Sequence, residues 1–301
     1  MKKKPAKQQM NLMKLFQDFD TSEECRTYLE ELRWPDGVKC PRCQSGKISR
    51  IRERNQFDCD SCRYQFSVTA GSIFHDSHLP LPKWFAAVYL MCEARKGVSA
   101  NQLKRTLSVS YKTAWYLCHR IRKAMEELNP APLKGTVEID EAYIGGKRRH
   151  VGGGYRGNKT MVLGAIERGG EVRLKIEKRN NKPTLHRFVA ETTAPETERI
   201  MTDEWRAYRG IGDADTKHET VDHYKEEWVR GDVHTNSIEG VWSLFKRSVI
   251  GSYHQVSAKH LDRYLDEFEF RFNNRKNPYL FRDTLLKLLQ AQALTYQKLT
   301  A

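Results

Sequence analysis

Apolar positions recur at helical spacing towards both ends of the chain and alternate like strands between them. Near the start, Leu12, Leu15 and Phe16, then Tyr28, Leu29 and Leu32, fall on single helical faces, and Thr21-Ser22-Glu23-Glu24 has the composition of a helix start. This predicts a helical arm over residues 1–33. From Trp34 to Thr69 the period shortens, and Lys47-Ile48-Ser49-Arg50-Ile51-Arg52 alternates as a small β-sheet would. Helical spacing returns from Pro82 to Glu127. Leu81-Pro82-Lys83-Trp84 opens a helix through Arg95 that Gly97 stops; Ser99 begins a short helix to Leu107, and Ser108-Val109-Ser110 turns the chain into a longer one from Tyr111 to Glu127. Two helices joined by a short turn predict a helix-turn-helix-like pair within residues 70–130.

Pro130, Pro132 and Gly135 mark a boundary. Beyond it, strands are predicted at Thr136–Ile144, Met161–Glu167 and Val172–Glu177, a helix near Thr184–Glu191, a strand leading to Asp203, and helical material from His234 onward. Strands first, with helices alternating later, predict an α/β domain of about 150 residues. Its expected span is 131–289, leaving 290–301 as a tail.

The 301 residues are 39% hydrophobic and 10% aromatic, too many core formers for a disordered polycation. The net charge of +14 is uneven, with +10 on residues 1–135 and +4 on the rest. A positive field concentrated on the smaller part favours a polyanionic partner, of which nucleic acid is the commonest. Met1-Lys2-Lys3-Lys4 is followed by polar residues rather than an apolar stretch, and the longest apolar run, Trp84–Cys92, is far short of the roughly 20 residues that span a bilayer. No membrane association and a cytoplasmic location are therefore expected.

Four of the seven cysteines form two knuckles, Cys40-Pro41-Arg42-Cys43 and Cys59-Asp60-Ser61-Cys62, fifteen residues apart. That spacing predicts a zinc site over residues 34–69, each knuckle supplying two thiolates to a tetrahedron. Four protein ligands leave no open position, so the zinc is structural. Cys25, Cys92 and Cys118 lie on helical faces and read as core.

In the helical pair, Lys104, Arg105, Lys112, Arg120, Arg122 and Lys123 interleave with Trp115, Tyr116 and Leu117. A nucleic-acid reading puts Tyr111, Lys112 and Thr113 at base edges, with the other cations on phosphates. The alternative is a helical hairpin with a solvated basic face. Three acids also stand out. Along Thr136–Glu141, Val137 and Ile139 face one way and Glu138 and Asp140 the other, and an acid turned inward from a strand needs a counter-charge. Asp203 ends an apolar stretch, at the strand end where α/β domains gather ligands. Downstream of His234, Ile238, Val241, Trp242, Phe245 and Val249 make a core stripe, beside a polar stripe of Asn236, Glu239, Ser243 and Lys246.

Together these segments resemble the bacterial insertion-sequence transposases with a ribonuclease H-like catalytic domain, in particular the Merlin-like branch with an N-terminal zinc ribbon. The resemblance spans Trp34 to Leu289 and is carried by Val137–Gly146, Thr202-Asp203-Glu204-Trp205, His234–Ser243 and Ile250-Gly251-Ser252-Tyr253-His254. It implies a catalytic triad of Asp140, Asp203 and Glu239, with thirty-five residues between the last two. Asn236, one turn before Glu239, is the alternative third ligand; a carboxylate suits a hard cation better than a neutral amide. The implied cofactors are Mg²⁺ (or Mn²⁺) at the acids and Zn²⁺ at the cysteines, and the implied partner is double-stranded DNA, both element ends and target. Lys246, followed by Arg247, then corresponds to a DNA-contacting lysine. Lys147, Arg148, Arg149, Arg156 and Lys159, around Gly152-Gly153-Gly154, would supply a cationic surround. Acting on two ends implies a homo-oligomer on DNA, although no heptad pattern is present. Two other readings remain at this point: a metal-dependent nuclease that does not join DNA, and a DNA-binding regulator with a decayed catalytic domain.

Overall fold

Local capping rules set the first elements. In the computed structural model, which describes residues 10–145, 159–212, 214–222 and 229–301, α1 spans Leu12–Asp18 and α2 spans Ser22–Arg33. Thr21 and Glu24 close a reciprocal cap on α2: Glu24 N–H donates to Thr21 Oγ1 at 3.2 Å and Thr21 N–H to Glu24 Oε2 at 2.9 Å. Three short antiparallel strands follow, β1 (Ile48–Ile51), β2 (Gln56–Cys59) and β3 (Gln65–Phe66), with β2 central. Next come α3 (Leu81–Glu93), α4 (Ala100–Leu107) and α5 (Tyr111–Met125). Ser99 caps α4, and Ser108 adopts a left-handed φ of 50° to start the turn into α5. The predicted helix-turn-helix-like pair is α4 and α5.

Residues 126–275 form a separate unit. Its strands are β4 (Thr136–Ile144), β5 (Thr160–Glu167) and β6 (Val172–Glu177); after α6 (Lys182–Thr192) come β7 (Arg199–Asp203) and β8 (Lys217–Val221), then α7 (Asn236–Ser248) and α8 (Leu261–Asn273). The sheet order is β6-β5-β4-β7-β8, with β4, β5 and β6 antiparallel and β4, β7 and β8 parallel. This five-stranded mixed sheet with its helices is the α/β domain that the sequence pattern predicts. Alternation along β4 divides the core in two, as its pattern predicts. Val137 and Ile139 pack with Leu185, Phe188 and Val189 of α6, while Ala142 and Ile144 pack with Ile238, Val241, Trp242 and Phe245 of α7 and Leu265 and Phe268 of α8. Glu138 and Asp140 share the α7 face. The edge strand β8 was not predicted, because Lys217-His218-Glu219-Thr220 lacks an apolar alternation.

The C-terminal part of the chain corrects the predicted domain limits. Residues 276–301 belong with residues 1–125, not with the sheet. Helix α9 (Leu280–Gln290) inserts Phe281 among Phe19, Phe85 and Tyr89, with ring centroids 6.2, 5.8 and 6.4 Å away, and Thr284 Oγ1 lies 3.2 Å from Cys92 Sγ. The sequence predicted helical material here, but helical spacing does not name the partner a helix packs against. The last helix, α10 (Tyr296–Thr300), follows it. Cys25, Cys92 and Cys118 are buried, as expected of core residues. Among the described residues no helix is long and apolar enough to cross a membrane.

Candidate active site and metal centre

The two cysteine knuckles converge. The four Sγ atoms of Cys40, Cys43, Cys59 and Cys62 lie within 4.8 Å of one another, with Cys40–Cys62 at 3.6 Å and Cys43–Cys59 at 3.5 Å. A Zn–S bond of about 2.3 Å requires tetrahedral S–S edges of about 3.8 Å, so the donor set fits zinc in number, softness and size. Burial, with the neighbouring thiol of Cys43, pushes the Cys62 thiol up to about 12. Cys40 moves the other way, to about 7, because against its burial the N–H groups of Cys43 and Arg42 stabilise its thiolate. Around the cysteines is only a small core of Phe57, Phe66 and Ala70, with Trp34 and Tyr64 at its edge.

The candidate acids occupy three elements of the other unit. In the parallel register of β4 and β7, Val137 pairs with Ile200 and Glu138 with Met201. Continued by two residues, it sets Asp140 level with Asp203 on adjacent strands, which lie about 4.8 Å apart. Asp140 is partly buried and accepts a 3.0 Å hydrogen bond at Oδ2 from Trp242 Nε1. Burial, then the charge of Glu141 and, more weakly, that of Asp203, pushes the Asp140 carboxyl up to about 7. On the opposite face Glu141 is held by Tyr208 Oη at 2.9 Å and Asn180 Nδ2 at 2.6 Å. Asp203 Oδ1 accepts from the Trp205 N–H at 3.1 Å. Glu239 is exposed on the first turn of α7, where Thr235 Oγ1 donates to its Oε1 at 3.0 Å, and Asn236 is exposed at the first residue of that helix. Ile238, Val241, Trp242 and Phe245 are buried, while Ser243, Lys246 and Arg247 are exposed, so the two predicted stripes of α7 are both present.

Among the described residues, the carboxylates of Asp140, Asp203 and Glu239 do not close to the mutual distance seen for the cysteines. Burial and the neighbouring acids raise the Asp140 carboxyl to about 7, a crowding of negative charge that a bound divalent cation would relieve.

Sequence reasoning missed the residues that dock α7. Glu138 has no exposed surface, and Arg168 Nε donates to its Oε1 at 2.6 Å. Ser237 N–H and Ile238 N–H donate to Oε2 at 2.7 and 3.0 Å, and Ser237 Oγ donates to Oε1 at 2.9 Å. The counter-charge expected for an inward acid is thus Arg168 together with a helix N-terminus. Trp242 read as plain core, although a buried indole N–H needs an acceptor and Asp140 supplies it. Gly164, the partner of Asp140 on β5, makes room for that ring: a Cβ there would sit 2.5 Å from Trp242 Cζ2.

The predicted DNA-contacting residues divide. Tyr111, Lys112 and Thr113 are exposed at the start of α5, with Lys112 Nζ 4.5 Å from the centroid of the Tyr296 ring, and Lys104 and Arg105 are exposed on α4. Arg120 is a correction. It is 4% exposed, donates to the carbonyls of Ile73 and His75, and packs on the rings of Trp84 and Tyr116. Arg122 is buried as well. Helical spacing put these two cations on the inner side of α5, so they hold the fold and do not reach phosphate. Lys147, Arg148, Arg149 and Arg156 lie outside the described residues.

The raised Asp140 carboxyl has a measurable consequence. Between its unfolded value near 4 and its folded value of about 7 the folded chain binds more protons, so stability falls as pH rises through that window. In metal-free protein at pH 8, Asp140→Asn is expected to raise unfolding stability by on the order of 2–4 kcal/mol. The gain should vanish below about pH 4. Denaturant titrations at pH 4 and pH 8 check both ends; equal gains at the two would refute the assignment.

Comparison with known proteins bears on this arrangement. Residues 132–273 match the family model described as the ISXO2-like transposase domain, and residues 20–65 match that of the transposase zinc-ribbon domain. A protein of the transposable element ISH50 from Halobacterium salinarum is 31% identical over 272 residues, covering 84% of this chain and 91% of the relative. Among solved structures, the Mos1 strand transfer complex is similar with a TM-score of 0.30 and 14% identity, covering 68% of this chain and 75% of that chain. A simian T-cell lymphotropic virus intasome has a TM-score of 0.29 and 13% identity, covering 56% and 63%.

Proposed function

Since the chain belongs to the family of insertion-sequence transposases that carry a zinc ribbon and an ISXO2-like transposase domain, we propose that it cuts DNA at element ends and transfers the released 3′-hydroxyl to target DNA. The observation that supports this reading is the parallel pairing of β4 with β7 up to Glu138–Met201, two residues before Asp140 and Asp203, with the charge of Asp203 felt at Asp140 and Glu239 exposed on α7. Cutting and joining are both in-line displacements at phosphorus, which positioning and charge stabilisation suffice to promote. Mg²⁺ bound at these acids would activate the attacking oxygen and stabilise the leaving one. Asp140, Asp203 and Glu239 would hold the Mg²⁺, with Asn236 as the alternative to Glu239. Trp242 orients the Asp140 carboxylate through its indole N–H. Exposed Lys246 and Arg247 would hold phosphates along the same helix.

Zinc at the four cysteines would fold the ribbon, and the exposed first turn of α5 would enter the major groove of an element end. The test is a reaction of purified protein with end-containing duplex, Mg²⁺ and a circular target. Covalently joined products are expected. Cut ends without joining would establish the nuclease reading, and absence of carboxylate-dependent Mg²⁺ or Mn²⁺ binding would favour a decayed regulator.

A further inference from the structure

We infer that Glu138 is a positioning residue that sets the height of α7 along β4, and so the spacing of the candidate metal ligands. This rests on the active-site reading above. One polar network touches each of the three elements that carry an acid, two residues before that acid in every case. Glu138 precedes Asp140, Ser237 precedes Glu239, and Met201, whose Sδ accepts from Arg168 Nη2, precedes Asp203. Arg168 also donates to the carbonyls of Asp232 at 2.8 Å and His234 at 3.0 Å, in the segment leading into α7.

The register explains why two attachments suffice. Glu138 grips the N–H groups of Ser237 and Ile238, and Asp140 grips Trp242. Two residues of strand advance about 6.7 Å, and the four to five residues of helix between the grips advance about 6–7.5 Å. Helix α7 therefore runs along β4 with both contacts in step. The Asp140 grip is open to competition from bound metal, whereas the fully buried Glu138 grip is not. A carboxylate suits this place because it answers the helix N-terminus and the guanidinium at once. An amide would offer a donor where Arg168 and Ser237 already donate.

The test uses the full-length chain and reads the Mg²⁺ concentration for half-maximal strand transfer. Glu138→Gln is expected to raise it by about 10–100-fold, the effect typical of losing a partner that orients a metal ligand. Zinc content and end-DNA affinity should stay at the unmutated level. Because Mg²⁺ demands near-ideal octahedral geometry, replacement by Mn²⁺ should recover most of the rate. Ser237→Ala, which keeps the buried ion pair, is expected to move the curve the same way by about threefold. An unshifted Mg²⁺ curve in Glu138→Gln would overturn the inference, as would a misfolded Glu138→Gln accompanied by an unshifted Ser237→Ala. Asp140→Ala run in parallel separates the levels: continued joining by that variant would sink the active-site reading itself, while its inactivity beside normal Glu138→Gln curves would sink only the positioning role.

Discussion

Asp140→Ala and Asp203→Ala should each lower strand transfer at least about a thousandfold, a loss of about 4 kcal/mol of transition-state stabilisation, while binding of end DNA changes less than about twofold. The asymmetry follows from where the residues lie. Both acids are on the central sheet of residues 126–275, whereas the zinc ribbon and the α4–α5 pair belong to the other unit. Removing either acid takes away anionic donors for a divalent cation; the hydrogen bonds lost with them include those from Trp242 Nε1 and the Glu141 N–H to Asp140 and from the Trp205 N–H to Asp203. The same assay decides the third ligand. Glu239→Ala should fall with the other two, and Asn236→Ala should retain most of its activity, since a carboxylate binds a hard cation more strongly than an amide. The reverse order would make Asn236 the ligand. Gel shift with labelled end duplex, run beside the joining reaction, supplies the control, and undiminished joining by Asp140→Ala would end the proposal.

The second large effect is expected from the cysteines. Metal analysis of protein purified without added metal should find about one zinc per chain, and Cys40→Ser combined with Cys43→Ser should lose it. Structural zinc contributes on the order of 10 kcal/mol to small domains, more than a ribbon with a core of Phe57, Phe66 and Ala70 can replace. The variant should become sensitive to protease between residues 34 and 69, and its affinity for end DNA should drop at least about a hundredfold. The sheet of residues 126–275 should keep its own unfolding transition, because its two cores lie wholly within that unit. A zinc-free ribbon that resists protease as the metal-loaded chain does would refute the structural role.

Most of the fold was legible because it is set by local chemistry. The caps at Thr21 and Ser99, the left-handed turn at Ser108 and the alternation of β4 rest on side chains within a few residues of the backbone they organise. The two cysteine knuckles are local in the same sense, and their spacing needed only the short sheet to bring them together. The exception is β8, a polar edge strand without periodicity, whose pairing is provided by its neighbour β7.

The candidate site was legible in its acids and opaque in its supports. Asp140 faces inward by strand parity alone, and parity also demanded a cation nearby, but nothing in the order of residues singled out Arg168, thirty residues beyond Glu138, as that cation. Arg120 shows the converse, a basic residue in a basic helix that turns inward to hold the carbonyls of Ile73 and His75.

The amino-acid sequence by itself determined the elements, the four-cysteine centre and the family, since each depends on spacing along the chain. Only the tertiary structure decided that α9 returns to the N-terminal unit, that Glu138 docks α7 and that Trp242 turns its N–H to Asp140. The physical reason is that an apolar stripe or a buried charge specifies that a partner must exist, while the packing of distant segments selects which one it is.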